Sequence, residues 1–251
     1  MNRIHGLYRL FPVIVSLLCP YPVSAQGMPL CSTEISAVPD SIAPNWKGLW
    51  LNTAVLGGCF VGTLAVLECL PEDATSWNRA ELQDVPLFKR WHKHVIKQGL
   101  DWDHDKFYFN YILHPYAGAV YFMGARSQGF SFWQSMLYSA CVSTIGWEFG
   151  IEAFMERPSW QDLFITLLVG SLIGERFYRL KLHIAANGYR LWNSSLLGNV
   201  VAFLVDPVNE VVGLFAGNPY RQFARKHTGG TLASSFRLGD RSLSLYCAYS
   251  F

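Results

Sequence analysis

The chain has 251 residues, of which 51% are apolar and only 15% are charged. An ordinary soluble domain carries roughly 25% charged residues, so this composition excludes intrinsic disorder and makes a water-soluble surface hard to build. The formal net charge of +2 provides no basic field for nucleic acid, and no nucleic-acid partner is expected. The aromatic content of 15% is typical of a chain at a membrane–water interface.

Residues 1–25 have the pattern of a secretory signal peptide. Arg3 and Arg9 supply the positive start, residues 10–18 are apolar, and residues 23–25 are small, as a cleavage site requires. The alternative is a short first transmembrane helix, which three prolines in the segment disfavour. The segment predicts export to a bacterial cell envelope.

A helical, membrane-associated domain is predicted over residues 46–220, after a flexible leader over residues 26–45. Residues 49–67 carry no charge and begin near Trp46 and Trp50. They are long enough for one membrane-spanning helix with an aromatic flank, and a fully buried core helix is the alternative. The cysteines in and after this segment are expected to be small buried side chains: Cys59 and Cys69.

Three further helices are predicted in the middle of the chain. The first covers residues 106–126 and should be kinked or broken at His114, because Pro115 lacks a backbone donor and disfavours helical geometry at the residue before it. The other two cover residues 132–154 and 160–181.

Two junctions between the helices have recognisable capping residues. Ser159 follows a proline and is placed to cap the next helix. The apolar segment 196–217 predicts two half-length helices that meet at Asp206, with Asp206 as N-cap and Pro207 at the first helical position.

Residues 221–251 are predicted to form a C-terminal tail with a short β-hairpin. Apolar and small or polar side chains alternate strictly after a turn at 238–240, and Phe251 closes the stretch. Such an ending resembles the last strand of outer-membrane barrels, but a single-chain barrel needs at least eight strands. A barrel remnant, a hairpin that adds to another sheet, and chance resemblance all stay open.

The predicted fold class is therefore mainly α. We expect a compact bundle of about five or six apolar, partly broken helices that pack through small residues, followed by the short C-terminal β-hairpin.

Two carboxylates occupy one face of the apolar helix 132–154. At 100° per residue, Glu148 and Glu152 lie one turn apart, opposite a stripe of small residues and above Gln134 and Cys141. Buried like charges are costly and raise each other's pKa, so they need compensation. One interpretation is ion pairing that only fixes the bundle, with the arginines Arg126, Arg157 or Arg176. The other is acid–base chemistry.

The candidate site draws residues from three helices. The candidate catalytic groups are Glu148, Glu152 and His114. The candidate substrate-binding groups are Asn110, Asp162 and Arg126. His114, Glu148, Glu152 and Asp162 could also form a divalent-metal site, but the chain has no local metal motif such as HExxH. Neither a metal nor a cofactor is therefore predicted.

Several short motifs follow one another in order. They are Asp105-Lys106, Asn110, His114-Pro115, Gly118, Trp147-Glu148, Glu152, Pro158-Ser159, Gln161-Asp162, Gly170, Gly174-Glu175 and Asp206-Pro207. Over residues 100–217 this pattern resembles an uncharacterised bacterial envelope family, known only as a domain of unknown function. A looser likeness extends to small periplasmic lipoproteins and to VanZ-like membrane proteins. The resemblance implies an envelope location and a helical core, and no activity.

Three functions stay open, and the sequence alone does not decide whether the protein is an enzyme. The first is an exported, membrane-associated envelope protein that is structural or binds lipid or a partner protein. The second is an envelope lipid-modifying hydrolase or transferase that uses the embedded Glu and His residues. The third is a small transporter-like bundle. The outer membrane or the periplasmic face is the expected location, with the inner membrane left open.

Overall fold

The computed structural model describes residues 43–69, 85–102, 107–228, 232–239 and 242–249. The predicted signal peptide and most of the predicted leader lie outside these residues. Several helices change type along their length, from α-helix to π-helix or 3-10 helix. The helices are α1 (Trp46–Cys69), α2 (Leu87–Trp91 and π-helical His92–Gln98), α3 (π-helical Phe109–Leu113 and His114–Arg126), α4 (Phe132–Cys141, π-helical Val142–Ile151 and 3-10 Glu152–Phe154), α5 (Trp160–Phe164, π-helical Ile165–Val169 and Gly170–Ala186), α6 (Ser195–Val205), α7 (Pro207–Ala216) and α8 (Pro219–Thr228).

Helix α3 forms the centre of the bundle and packs against α4, α5 and α7. Its second half is almost completely buried, from Gly118 to Ala125. Small residues make this possible, because a Cβ atom placed on Gly118 would lie only 1.9 Å from the carbonyl oxygen of Thr166 on α5. A Cβ atom on Gly170 would lie 2.7 Å from the Cα atom of Gly118. Two backbones therefore touch where α3 crosses α5.

Two predicted helix boundaries agree with the structure and one differs. Ser159 caps α5, since its hydroxyl accepts from the N–H groups of Gln161 and Asp162. The chain also bends by 106° between α6 and α7, at Asp206 as predicted. At His114, however, the expected break is a change from π-helix to α-helix. This places Pro115 at the junction between the π-helical and the α-helical part of α3.

Helix α1 presents most of its apolar surface outwards. Its residues 46–66 are long and apolar enough to cross a membrane, and only 22% of the apolar window is buried in the bundle. Cys59 and Cys69 were expected to be buried and are exposed. The bent pair of α6 and α7 passes the same test if it is counted as one broken span.

The mainly helical class is thereby confirmed. Helix α8 extends to Thr228, and the division into a helical domain over 46–220 and a tail over 221–251 stays a prediction. Beyond it, β1 (Leu232–Gly239) pairs antiparallel with β2 (Ser242–Tyr249). The register places Leu232 opposite Tyr249 and Gly239 opposite Ser242. Only the helical class of the fold is confirmed, and the C-terminal β-hairpin as a stable part of that fold stays a prediction.

Candidate functional site

Four ionisable side chains from three helices lie close together inside the bundle. We call His114, Glu148, Glu152 and Asp162 the acidic-histidine cluster. His114 comes from α3, the two glutamates from α4 and Asp162 from the first turn of α5. The imidazole nitrogen of His114 and the carboxylate oxygens of Glu148 and Asp162 lie within 4.8 Å of one another. Three residues far apart in sequence therefore form one site.

The crossing of α3 and α5 positions His114. Its Nδ1 atom lies 3.3 Å from the hydroxyl of Thr166 and 3.8 Å from Oδ1 of Asp162. His114 is one helical turn before Gly118, whose lack of a side chain lets α3 lie against the backbone of Thr166. The side chain of His114 is 12% exposed and that of Asp162 is 4% exposed, so the cluster approaches the surface at the histidine.

The N-terminus of α5 orients Glu148. The backbone N–H of Ser159 donates a 3.2 Å hydrogen bond to Oε2 of Glu148, and the hydroxyl of Ser159 caps the same helix. A carboxylate beside the first turn of a helix also gains from the helix dipole. Glu148 is only 1% exposed, so this contact holds a buried carboxylate in place.

The surroundings of Glu152 disfavour its ionised form. Burial raises the pKa of Glu152 well above its usual value, and the negative charges of Glu148, Glu156 and Asp162 raise it further. A side-chain hydrogen bond joins Glu152 to Glu148. Among the described residues, no group forms a hydrogen bond with the buried Oε2 atom of Glu152.

Helix α2 supports this part of α4 from outside. A π-helix or a 3-10 helix leaves backbone groups without the usual α-helical partners. The indole N–H of Trp91 donates to the carbonyl oxygen of Phe149 at 2.7 Å, and Nδ1 of His94 lies 2.8 Å from the carbonyl oxygen of Ala153. A carbonyl oxygen can only accept, so Nδ1 of His94 carries the hydrogen. Burial lowers the pKa of His94 and favours this neutral ring.

The prediction that the small residues and the glutamates occupy opposite faces of α4 is wrong. Ser135, Ser139, Ser143, Glu148 and Glu152 are all buried in the bundle. The prediction used the α-helical angle, whereas residues 142–151 form a π-helix, in which hydrogen bonds join residues five apart. Glu148 therefore follows Ser143 along one side of the helix. Gln134 and Cys141, predicted on the glutamate face, are exposed.

The other predicted site residues have different surroundings. Arg126 pairs with Glu175 on α5 at 2.9 Å and stacks on the ring of Tyr178, so its contacts belong to another part of the bundle. Arg157, proposed as a partner for the glutamates, pairs with Asp101 at 2.6 Å. Asn110 is buried, and its Oδ1 atom has no hydrogen-bond partner.

A second buried polar centre surrounds the bend between α6 and α7. We call Lys181, Asp206, Asn209, Glu210 and Arg221 the lysine network. The fully buried ammonium of Lys181 donates to Asp206 and lies 3.3 Å from Glu210, which Arg221 also binds at 2.7 Å. Asn209 donates to Asp206 at 2.6 Å. The prediction that the side chain of Asp206 caps α7 is wrong. Its carboxylate accepts hydrogen bonds from these donors and from Ser127 instead.

Sequence reasoning missed several members of both centres. Thr166 and the N–H of Ser159 carry no signal beyond their place on a helix and at its cap. Lys181 lies inside α5, and no motif in the sequence marks it as buried. Its partner on α7 could be found only from the fold.

The candidate site residues all lie within a segment that matches a known family model. No curated protein matches the chain, and no solved structure matches it. Residues 99–208 match the family described as a domain of unknown function (DUF3943), which confirms the resemblance to an uncharacterised family.

Proposed function

We propose that this protein is an exported, membrane-associated protein of the bacterial envelope whose acidic-histidine cluster performs acid–base chemistry on a lipid or another envelope substrate. The observation that carries the proposal is the convergence of His114, Glu148 and Asp162 within 4.8 Å, from three helices. General acids and bases must meet around one reacting atom, and burial moves their pKa values towards the working pH.

The catalytic roles follow from position. Glu148 is held by the N–H of Ser159 through one oxygen, which fixes the orientation of its carboxylate. Glu152 supplies an adjoining acid, and His114 lies on the more exposed side of the cluster. We therefore assign Glu148 and His114 to proton transfer with a substrate that approaches from the side of His114.

The test compares two glutamate variants of the purified chain in detergent. We expect the wild-type protein to alter at least one component of an envelope lipid extract, as detected by mass spectrometry. Glu148→Gln keeps the shape of the side chain but removes its base, and should lower turnover by about 100-fold or more. Glu175→Gln changes a glutamate outside the cluster and should retain turnover.

Two outcomes of this comparison contradict the catalytic role. One is a wild-type protein that leaves the extract unchanged. The other is a Glu148→Gln variant that turns over its substrate as fast as Glu175→Gln does. The melting temperatures of both variants are measured alongside, so that loss of fold is separated from loss of chemistry.

A structural role at a membrane is the second candidate, and a different observation favours it. Large apolar side chains point outwards from several helices, including Trp50 and Val61 on α1, Ile145 on α4 and Phe215 on α7. Polar and charged side chains such as Lys181 lie inside. This distribution is typical of a protein surrounded by hydrocarbon. The hairpin over residues 232–249 would then offer an edge for another sheet.

A single substitution in α1 of the full chain tests membrane association. The wild-type chain should stay in the membrane fraction after a carbonate wash. A charge within a spanning helix costs roughly 2.5–3.5 kcal/mol, so Val61→Lys should reduce this fraction strongly. Ile96→Lys changes an equally exposed residue on α2 and should not. Complete release of the wild-type chain by carbonate would rule out integration through α1.

A further inference from the structure

The geometry points to a divalent first-row metal ion, Mn²⁺ or Zn²⁺, bound between His114, Glu148 and Asp162. This inference deepens the proposed function, because it assigns an inorganic cofactor to the same site. It extends beyond the sequence-based expectation, which included no metal.

The first argument is the donor set and its spacing. One imidazole nitrogen and two carboxylates come from three separate helices, and their ligand atoms already lie within 4.8 Å of one another. A tetrahedral ion bound at about 2.1 Å holds its ligand atoms about 3.4 Å apart. Side-chain rotations that bring the donor atoms closer by about an ångström would complete the shell.

A second observation is independent of the three ligands. Glu152 is 5% exposed, and a hydrogen bond joins its carboxyl to Glu148. No group in the described ranges forms a hydrogen bond with its buried Oε2 atom. Buried polar atoms in native proteins nearly always have a partner, so such an oxygen beside a carboxylate needs an explanation. A cation, or a water molecule bound to one, supplies that partner.

Two further buried amide oxygens lie on the helices that provide His114 and Asp162. Asn110 lies four residues before His114 on α3, and Gln161 directly precedes Asp162 on α5. Within the described part of the chain, the amide oxygen of each lacks a hydrogen-bond partner. Amide oxygens are uncharged, but they can bind a cation directly or accept a hydrogen bond from a metal-bound water.

The chemistry of the donors selects the ion. Imidazole suits zinc, iron, copper and nickel, whereas carboxylates suit manganese, magnesium and calcium. A mixed set with one histidine fits Mn²⁺ or Zn²⁺ better than a site for calcium, which takes six to eight oxygens. The partial exposure of His114 provides a path by which the ion can enter. Bound there, it would supply Lewis-acid activation of a water molecule.

Metal binding is tested on the full chain in detergent, after removal of metals with EDTA. The stripped protein is titrated with MnCl₂, followed by electron paramagnetic resonance, and with ZnCl₂, followed by elemental analysis. We expect one ion per chain in the wild type. Asp162→Asn should weaken binding at least tenfold, whereas Asp101→Asn, an aspartate paired with Arg157 outside the cluster, should leave it unchanged.

The inference is overturned if the wild type retains neither ion, or if Asp162→Asn binds as tightly as Asp101→Asn. If Asp162→Asn does not fold, His114→Gln is measured instead against the same two limits. The proposed function fails separately. If the chain binds metal but alters no envelope component, the metal site is supported and the proposed function is contradicted. If the chain catalyses a reaction without bound metal, the proposed function is supported and the metal site is contradicted.

Discussion

Lys181→Met should destabilise the protein more than any other single change in the lysine network. The ammonium of Lys181 is fully buried and contacts both Asp206 and Glu210. Methionine fills a similar volume but leaves two carboxylates without their shared cation. Removing one partner of a buried ion pair costs about 3–5 kcal/mol. The melting temperature in detergent should therefore fall by about 6–20 °C, at roughly 2–4 °C per kcal/mol for a chain of this size.

Arg179 on the same helix provides the matched control. It pairs with Glu175 at 3.7 Å, and its side chain is 67% exposed. Exposed ion pairs contribute less than about 1 kcal/mol, so Arg179→Met should change the melting temperature only slightly. If both variants melt within about one degree of each other, the buried network has no special role in stability. The double variant Lys181→Met with Asp206→Leu should recover part of the loss.

Gly118→Ala should separate α3 from α5. The added Cβ atom would lie 1.9 Å from the carbonyl oxygen of Thr166, and a backbone carbonyl cannot rotate away as a side chain can. Overpacking of this kind costs at least about 1–3 kcal/mol. Because Thr166 and Asp162 both face His114, the displacement should also weaken Mn²⁺ binding at the acidic-histidine cluster.

Gly62→Ala on α1 tests whether this effect is specific. No atom lies within 4 Å of a Cβ placed there, and alanine favours a helix over glycine by about 1 kcal/mol. Its melting temperature should stay the same or rise. A Gly118→Ala variant that retains both its melting temperature and its affinity for Mn²⁺ would contradict the close crossing of α3 and α5.

The features that the sequence predicted best are those that depend on neighbouring residues. Ser159 caps a helix because its hydroxyl reaches N–H groups two and three residues ahead, and the break at Asp206 follows from Pro207. The apolar character of 49–67 likewise needs no tertiary contact. Such local rules identified most of the helices.

The errors come from features that depend on the whole bundle. The π-helix over residues 142–151 has no recognisable signal in sequence, and it rotates Glu148 relative to the α-helical expectation. The burial of Lys181 depends on α7 and α8, which arrive later in the chain. The sequence offered Arg126 as an ion-pair partner of the glutamates on α4, but Arg126 pairs with Glu175 on α5.

The sharp bend between α6 and α7 has a consequence for topology. If this pair lies in a bilayer as a re-entrant loop, the two half-length helices at 106° to each other return the chain to the side from which it entered. The end of α5 and the beginning of α8 would then share one aqueous compartment. Among the described residues, the stretch 46–66 would remain the only complete crossing.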